Sequence, residues 1–485
     1  MIIYGISANE HDASLAVVDG DTILFASNVE RYSRRKNDAH LNEALIAEAR
    51  AFGDPDLFVW YEKPLLKRAR KLWAGQYEHV FRTDGAAYLR QFKLDAPIRY
   101  VGHHESHAAA GFFTSPFDQA AILVVDAIGE WETISAWKGC GQTLEKVWSQ
   151  SYPHSLGLLY SAFAQRVGLK PNEEEYILMG MAAYGEATYR DLIWNDFIAR
   201  FAPPRLVLKE NVHRGIRWWR PELQDHENIA ASIQLVTEEV LVRLVEWLAA
   251  KTGQRNLVLM GGVALNCVAN SKIAREGFFD DIWIMPNPGD AGSSIGAVAA
   301  YTRRHLNWVH PYLGHNIDRP LDLTGVITAL KASEIVGIAN GRAEFGPRAL
   351  GNRSLLADPR GPLTKDRVNL IKKREPFRPF APIIMAEYAH DYFDIPVRAS
   401  PYMQFVGTVR HPELFPAVSH RDNTARVQTL TYDQNPLLYR ILKGFHAETG
   451  CPMLLNTSLN IKGEPLVNTW EDAERFAKQS GVKIF

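Results

Sequence analysis

Cysteine is scarce in this chain of 485 residues: Cys140, Cys267 and Cys451 lie far apart and never at CxxC spacing. A disulfide framework and a thiolate zinc site are thereby disfavoured, and a reducing compartment is the natural setting. Net charge is scarce too. A formal value of −1 leaves no global field to draw the chain onto polymeric nucleic acid or an acidic membrane. No apolar run reaches the length of a membrane span. The start, MIIYGISANEHDAS, has no basic stretch followed by a long apolar one. Low-complexity tails and sustained heptads are absent. The expectation is a cytoplasmic protein with neither membrane nor nucleic acid as partner. The GK[ST] ending of a Walker A loop is also missing, so a nucleotide would have to be held in another way.

The length implies two or three folding units. Two stretches share one plan. Ile2–Ser7, Ala13–Val18, a turn at Asp19–Asp21 and Thr22–Asn28 make the first. Ala121–Asp126, Thr133–Lys138, a turn at Gly139–Gly141 and Leu144–Ser149 make the second. Each is an apolar strand, a polar loop with an acidic residue (Glu10 and Asp12, then Asp126), and an alternating hairpin. Such repetition points to an α/β fold with duplicated halves around a ligand cleft, the plan of the actin, sugar kinase and Hsp70 ATPase class. Two unrelated hairpins are the alternative. A long helix is expected over Ile229–Lys251, then a buried strand at Asn256–Met260. The segment His310–Pro320 reads as a linker. Beyond it, residues 341–380 hold ten Lys/Arg against four Asp/Glu. The main boundary is therefore expected near residue 320, giving domains 1–320 and 321–485.

Several short motifs carry chemistry. A helix begun at His103 would place His103 and His107 one turn apart on the same face, where two imidazoles can hold a divalent metal. His104 would point away and serve as a helix-start or supporting residue. With Asp126 and Asp290, these histidines would make a nitrogen–oxygen site suited to iron, manganese or zinc. Gly261-Gly262 leading to Asn266, and Asp290-Ala291-Gly292 leading to Gly296, have the strand–turn–helix form that brings backbone close to a phosphate or ribose. Glycines that only permit tight packing are the competing explanation. Trp218-Trp219, between Arg217 and Arg220, could stack a planar or sugar ring, or could simply pack.

These pieces, in their order, resemble the NodU / antibiotic-tailoring O-carbamoyltransferase family. The likeness runs from His11–Ser14 and Glu30–Arg34 through His103–Ala109, Leu178–Gly185, Gly261–Asn266 and Asp290–Ala297. It continues through Glu344–Ser354, Arg374–Pro382 and Leu455–Pro465. Departures are small: Ala183 stands where the family has Pro, and Tyr32 and Leu459 where it has Phe. The resemblance implies a TsaD-like, actin/Hsp70-like (ribonuclease H-like) first domain and an α+β YrdC-like second domain.

It also implies an ATP-dependent O-carbamoyltransferase. Carbamoyl phosphate and ATP would form carbamoyl-adenylate in the second domain, with Mg2+ accompanying ATP. The carbamoyl group would then pass to a hydroxyl of a small molecule in the first. Arg348, Arg353, Lys372, Arg374 and Arg378, with Thr457, Ser458 and Asn460, would hold the anions, since Arg forks match phosphate oxygens. Gly261, Gly262 and Asn266 would hold AMP, and Fe2+ would occupy His103, His107, Asp126 and Asp290. His11 or Asp12 would orient or deprotonate the acceptor. Lys36 would touch the acceptor or the leaving AMP. A homodimer is compatible with all of this. Two rival readings remain at this stage, a threonylcarbamoyl-type tRNA modification and a non-catalytic ATP-binding scaffold.

Overall fold

The computed structural model describes residues 1–75, 85–375, 378 and 380–485. Pro376, Phe377 and Pro379 of the Arg374–Pro382 block lie outside the described residues. Two compact units are present: residues 1–33 with 37–308, and residues 34–36 with 309–485.

The first unit contains the duplication. β1 (Ile2–Ser7), β2 (Ser14–Asp19), β3 (Thr22–Asn28), β4 (Leu57–Trp60) and β5 (Ile98–Tyr100) form a sheet in the order β3-β2-β1-β4-β5. β6 (Gln119–Val125), β7 (Glu132–Cys140) and β8 (Thr143–Ser151) are followed by a separate hairpin, β9 (Ile198–Ala202) and β10 (Arg205–Leu208). With β11 (Asn256–Met260) and β12 (Asp281–Trp283), the first three build a second sheet in the order β8-β7-β6-β11-β12. In both sheets three antiparallel strands are extended by two parallel ones. This repeated order is that of the ribonuclease H-like folds of the actin and Hsp70 class.

Each opening hairpin closes on two residues, the first a glycine at positive φ: Gly20 at 63° and Gly141 at 54°. Glycine reaches that conformation without a Cβ clash. Gly139 and Cys140, expected in the turn, belong to β7 instead. Gly139 is a packing glycine, since a Cβ there would come within 2.5 Å of the Phe112 ring.

Two helices join the halves by exchange. Helix His103–Thr114 follows β5 but packs on β6 and β11 of the other sheet. Helix Ser293–Thr302 belongs to the second half but packs on β1, β2 and β4. The two helices also lie against each other. Glycines set these distances. A Cβ on Gly296 would stand 2.0 Å from the Ser106 carbonyl oxygen, and one on Gly5 1.8 Å from that of Ser294. A Cβ on Gly292 would stand 1.9 Å from the Asn287 oxygen. Of the glycines in the Asp290–Ala297 motif, Gly292 and Gly296 thus follow the packing explanation.

The expected linker is partly strand. β13 (Tyr312–Ile317) buries Tyr312, Leu313 and Ile317, apolar residues set among turn formers. β14 (Val336–Ala339) and β15 (Gly341–Glu344) follow, and β15 pairs antiparallel with β13. The compact units accordingly divide between Trp308 and Val309, ahead of residue 320. β16 (Arg353–Ala357), β17 (Ala381–Met385), β21 (Gln428–Leu430), β22 (Met453–Ser458) and β23 (Lys483–Ile484) complete a six-stranded mixed sheet, β21-β17-β22-β16-β14-β23. A small sheet of β18 (Phe393–Asp394), β19 (Val406–Val409) and β20 (Thr424–Arg426) lies beside it in sequence. Helices Leu323–Lys331 and Pro436–Thr449 bury Leu330, Ile441 and Phe445 in this unit's own core. Among the described residues, no helix is long and apolar enough to cross a membrane.

The helix exchange can be tested by substitution. Gly296→Ala drives a methyl into backbone and is expected to destabilise the first unit by about 1–3 kcal/mol or more. Gly180→Ala, in helix Glu175–Ala182 with nothing within 4 Å of the added Cβ, should be neutral or stabilising by up to ~1 kcal/mol. Urea unfolding of both variants gives the comparison.

Candidate metal centre and anion site

The histidine helix starts where the sequence pattern places it. Gly102 is its N-cap and donates its N–H to Glu105 Oε2 at 3.3 Å. The His103 N–H donates to both oxygens of Glu130, at 3.1 and 3.0 Å. A carboxylate there satisfies a helix donor and suits the positive end of the helix dipole. His104 is buried, with Nδ1 2.8 Å from Ser135 Oγ. It anchors the helix on the second sheet and takes no part in the cluster.

His103, His107, Asp126 and Asp290 converge, each offering one ligand atom within 4.8 Å of the others. His107 Nε2 lies 3.0 Å from Asp126 Oδ2 and 3.3 Å from Asp290 Oδ1. His103 Nε2 lies 3.5 and 3.3 Å from the same oxygens. The two Nε2 atoms are 3.2 Å apart. Ligands about 2.0–2.2 Å from one ion are themselves about 3.0–3.5 Å apart in tetrahedral or octahedral geometry. The set therefore fits a divalent transition metal, and its two carboxylates neutralise a 2+ charge. Asp126 is aimed by its backbone neighbours: Oδ1 accepts N–H groups from Ala127 at 2.7 Å and Gly262 at 3.3 Å. Oδ2, buried, is left to the histidines and has no hydrogen-bond partner among the described residues.

The charges interlock. Burial opposes ionisation of His103 and His107, but Asp126 and Asp290 outweigh it and raise both pKa values. Burial likewise opposes the carboxylates. The two histidines nevertheless hold Asp126 well below the ordinary range, and His103 leads in bringing Asp290 to about 2.

The strand ends of both halves frame this cluster. After β11, Gly261 adopts φ 88°, and a Cβ there would strike the Val125 oxygen at 2.2 Å. Gly261 and Gly262 thus interlock with the Asp126 strand end. Asn266 is already engaged: its Oδ1 caps helix Cys267–Glu276 through Ala269 N–H at 3.1 Å, and its amide exchanges two hydrogen bonds with Gln234. Its expected contact with AMP would have to be made alongside these bonds. After β1, Asn9 and Asp12 sit at positive φ, 74° and 51°, a conformation Asn and Asp tolerate. Asp12 Oδ2 lies 2.9 Å from His11 Nδ1. Burial disfavours charge on His11, but Asp12 outweighs it, with Asp290 adding to the effect, and the pKa rises to about 9. His11 Nε2 is buried without a partner among the described residues.

Sequence reasoning missed three supporting residues. Tyr61 packs against His103 with ring centroids 5.1 Å apart and the planes tilted by 49°. Glu62 and Lys67 are buried and paired. Their only sequence signal is position, Tyr61 and Glu62 directly following β4. Trp219 is a packing residue, against Phe163 and Phe197, with Nε1 donating to Asp196 at 2.9 Å; Trp218 is exposed.

The second unit holds a different kind of site. Lys372 ends helix Thr364–Lys372, and its buried Nζ donates to Ser458 Oγ at 3.1 Å, Asn460 O at 3.1 Å and Asn460 Oδ1 at 2.9 Å, besides Ser458 O. All four partners are neutral. Burial, then the charges of Arg374, Arg378 and Lys36, push its pKa well down. Lys36 is thus electrostatically part of this cluster. Thr457 lies in β22 opposite Leu355. Arg374 stacks 3.9 Å over Phe380, and its Nε donates to Asn369 Oδ1 at 2.7 Å. Arg378 lies 3.6 Å from Glu375, a carboxylate also paired with Lys462.

Arg348 is half-buried in a tightly held turn. Glu344 Oε1 accepts the N–H groups of Leu350 at 2.8 Å and Asn352 at 2.9 Å. Tyr312 and Gln428 both donate to the Leu350 oxygen, at 3.0 and 3.1 Å. Arg353, expected among the anion contacts, is corrected by the structure. It is fully buried, and its guanidinium donates to the carbonyl oxygens of Asn468, Asn340, Gly341, Asn352 and His315. Its fork is spent on holding backbone.

Comparison with known proteins places both units. Residues 74–299 match the model for the carbamoyltransferase N-terminus, and residues 327–485 that for the carbamoyltransferase C-terminus. An uncharacterized protein of Synechocystis sp. is 38% identical over 98% of this chain and 93% of its own. Nodulation protein NolNO of Sinorhizobium fredii is 32% identical over 96% of this chain and 76% of its own. The 3'-hydroxymethylcephem-O-carbamoyltransferase of Amycolatopsis lactamdurans is 28% identical over 97% of this chain and 95% of its own.

Two outcomes follow from the first site. Elemental analysis of protein purified without chelator should find stoichiometric divalent transition metal in the wild type and none in Asp290→Ala. A metal-free wild type retaining full activity after exhaustive chelation would remove the assignment. For metal-free protein, the lowered carboxylates contribute stability above about 4 that is lost as pH falls toward 2. The raised histidines contribute stability below about 6.5 that is lost as pH climbs through their raised range. Thermal unfolding across pH should therefore peak between these limbs.

Proposed function

The chain belongs to the carbamoyltransferase family and is an enzyme, and on that premise we propose that it activates carbamoyl phosphate with ATP and carbamoylates a hydroxyl group of a small molecule. One observation carries this reading. Two chemically opposite sites occupy separate compact units: a nitrogen–oxygen cluster balanced for a 2+ ion, and a cationic cluster whose buried lysine has only neutral hydrogen-bond partners among the described residues.

The cationic cluster suits anions. Carbamoyl phosphate takes up water and releases phosphate. An oxygen of the resulting carbamate attacks the α-phosphorus of ATP, and pyrophosphate leaves. Arg348, Lys372, Arg374 and Arg378 would stabilise charge on the transferring and leaving groups, with Mg2+ on the ATP phosphates. Thr457, Ser458, Asn460 and Lys36 would hold the small anion. Arg348 suits the task because the turn carrying it is fixed before the substrate arrives. We assign the second unit to the YrdC-like class on the same grounds.

Carbamoyl-adenylate then serves the first unit. His103, His107, Asp126 and Asp290 would hold the metal, with Fe2+ favoured by family resemblance. When bound, the metal supplies Lewis acidity toward a carbonyl oxygen. Gly261 and Gly262 would admit the nucleotide close to backbone. The acceptor oxygen attacks the carbamoyl carbon, and AMP leaves through its phosphate oxygen. His11 and Asp12 lie in the loop best placed to handle the acceptor proton. With His11 holding a proton near neutral pH and steadying Asp12, Asp12 would take the hydroxyl proton as the bond to carbon forms and then pass it to solvent. The relative named for a hydroxymethylcephem supports a small hydroxyl-bearing acceptor.

Two half-reactions separate the sites. His103→Ala and His107→Ala should abolish acceptor carbamoylation while pyrophosphate release dependent on carbamoyl phosphate continues. Arg348→Ala should slow pyrophosphate release itself roughly thirty-fold or more, for a lost contact of about 2–4 kcal/mol. Equal loss of both half-reactions in the histidine variants would overturn the two-site scheme. Pyrophosphate release without any need for carbamoyl phosphate would overturn the substrate.

A further inference from the structure

His103 has a second ring nitrogen, and its surroundings single out a carboxylate. Nδ1 is buried with no hydrogen-bond partner among the described residues. The carboxylate oxygen facing it is Glu62 Oε2, 3.9 Å away. Glu130, the other carboxylate nearby, already accepts the backbone N–H groups of His103 and Lys63. Glu62 is itself tethered. Its Oε1 is paired with Lys67 Nζ, and that ammonium also reaches Glu10 Oε1 at 2.6 Å, which takes a second lysine, Lys71, at 2.6 Å. Glu62 and Lys67 are both almost fully buried.

These pairs form a chain from the metal-type cluster to the loop of His11 and Asp12. Helix Pro64–Trp73 is built for it, turning Lys67, Arg70 and Lys71 inward while Leu65, Leu66 and Leu72 stay exposed. Burying ammonium groups in place of leucines is costly unless each meets a charge or several acceptors. Lys67 meets two carboxylates, so its placement matches a positioning role better than a packing one.

We propose that Glu62 fixes His103 as a metal ligand, taking its Nδ1–H so that Nε2 is free for the ion, and that Lys67 carries this constraint to Glu10 and the acceptor loop. A ligating histidine whose other N–H is held by a carboxylate keeps one tautomer and one orientation. Glu62 and Lys67 are positioning residues here; neither touches the ion. Lys67 sets the place of both carboxylates, so the metal and the acid–base loop are held in one frame.

The inference rests on the metal reading of the cluster, and the test separates the two. Full-length wild type, Glu62→Gln, Glu62→Asp, Lys67→Met and Glu10→Gln are titrated with Co2+, following the d–d absorption spectrum and the dissociation constant, with acceptor carbamoylation measured in parallel. Glu62→Gln should weaken Co2+ binding about 10–100-fold and shift the spectrum, because its amide can present N–H to Nδ1. Glu62→Asp should recover part of the affinity. Lys67→Met should lower both affinity and transfer, whereas Glu10→Gln should lower transfer with metal affinity near wild type. Unchanged affinity and spectrum in Glu62→Gln, with wild type binding Co2+, would overturn the positioning role alone. Failure of wild type to bind Co2+ at His103 and His107 would overturn the metal reading and this inference with it. If Glu62→Gln does not fold, equal affinity in wild type and Glu62→Asp, with no spectral shift, overturns the proposal.

Discussion

The metal-type cluster depends on two helices that cross between halves and meet almost backbone to backbone. Gly296 and Ser106 make that contact, and Gly5 seats the second helix on the first sheet. A side chain at either glycine would collide with backbone and push these elements apart. His103 and His107 come from the helix after β5, Asp290 from the turn after β12, and Asp126 from the end of β6. No single half can assemble the set. Ligands drawn from both halves also mean that a bound ion would tie the halves together, so its binding energy would add to folding energy.

The two sites handle buried charge in opposite ways. Around the first unit's cluster buried charges are paired with opposite sign: histidines with Asp126 and Asp290, Lys67 with Glu62 and Glu10. In the second, Lys372 is kept among neutral oxygens while other cations crowd it. Such a group is poorly satisfied alone, and an incoming phosphate or carboxylate would relieve it. The first arrangement suits a resident cation. The second suits an anionic substrate that comes and goes. Arg353 is the useful contrast, since it lies in the same basic segment but spends its donors on five carbonyls of surrounding backbone.

Much of this was legible in residue order. Alternating apolar strands, each followed by an acidic loop, marked the duplication, because a two-residue period on a strand is a local property. The i, i+4 histidines were legible for the same reason: helical geometry alone puts them on one face. The fates of individual basic and glycine residues were not. Arg348 and Arg353 stand five positions apart in one motif, but one sits on a pinned turn and the other inside the unit. Gly292 and Gly296 look like a nucleotide turn and are spacing elements, and Asn266, which looks like a ligand contact, also serves as a helix cap. In each case the deciding partner lies far away in the chain.

Residue types and their local spacing, on their own, determined that this protein has a repeated α/β plan, an imidazole pair suited to a metal and a basic second segment rich in anion-binding groups. Tertiary structure decided which of those groups meet. It joined Asp126 and Asp290 to the histidines, set Glu62 and Lys67 behind His103, and turned Arg353 inward. The reason is physical. Propensity and periodicity act over a few residues, whereas the pairing of buried charges is settled only when distant segments pack and each must find a partner or be excluded from the core.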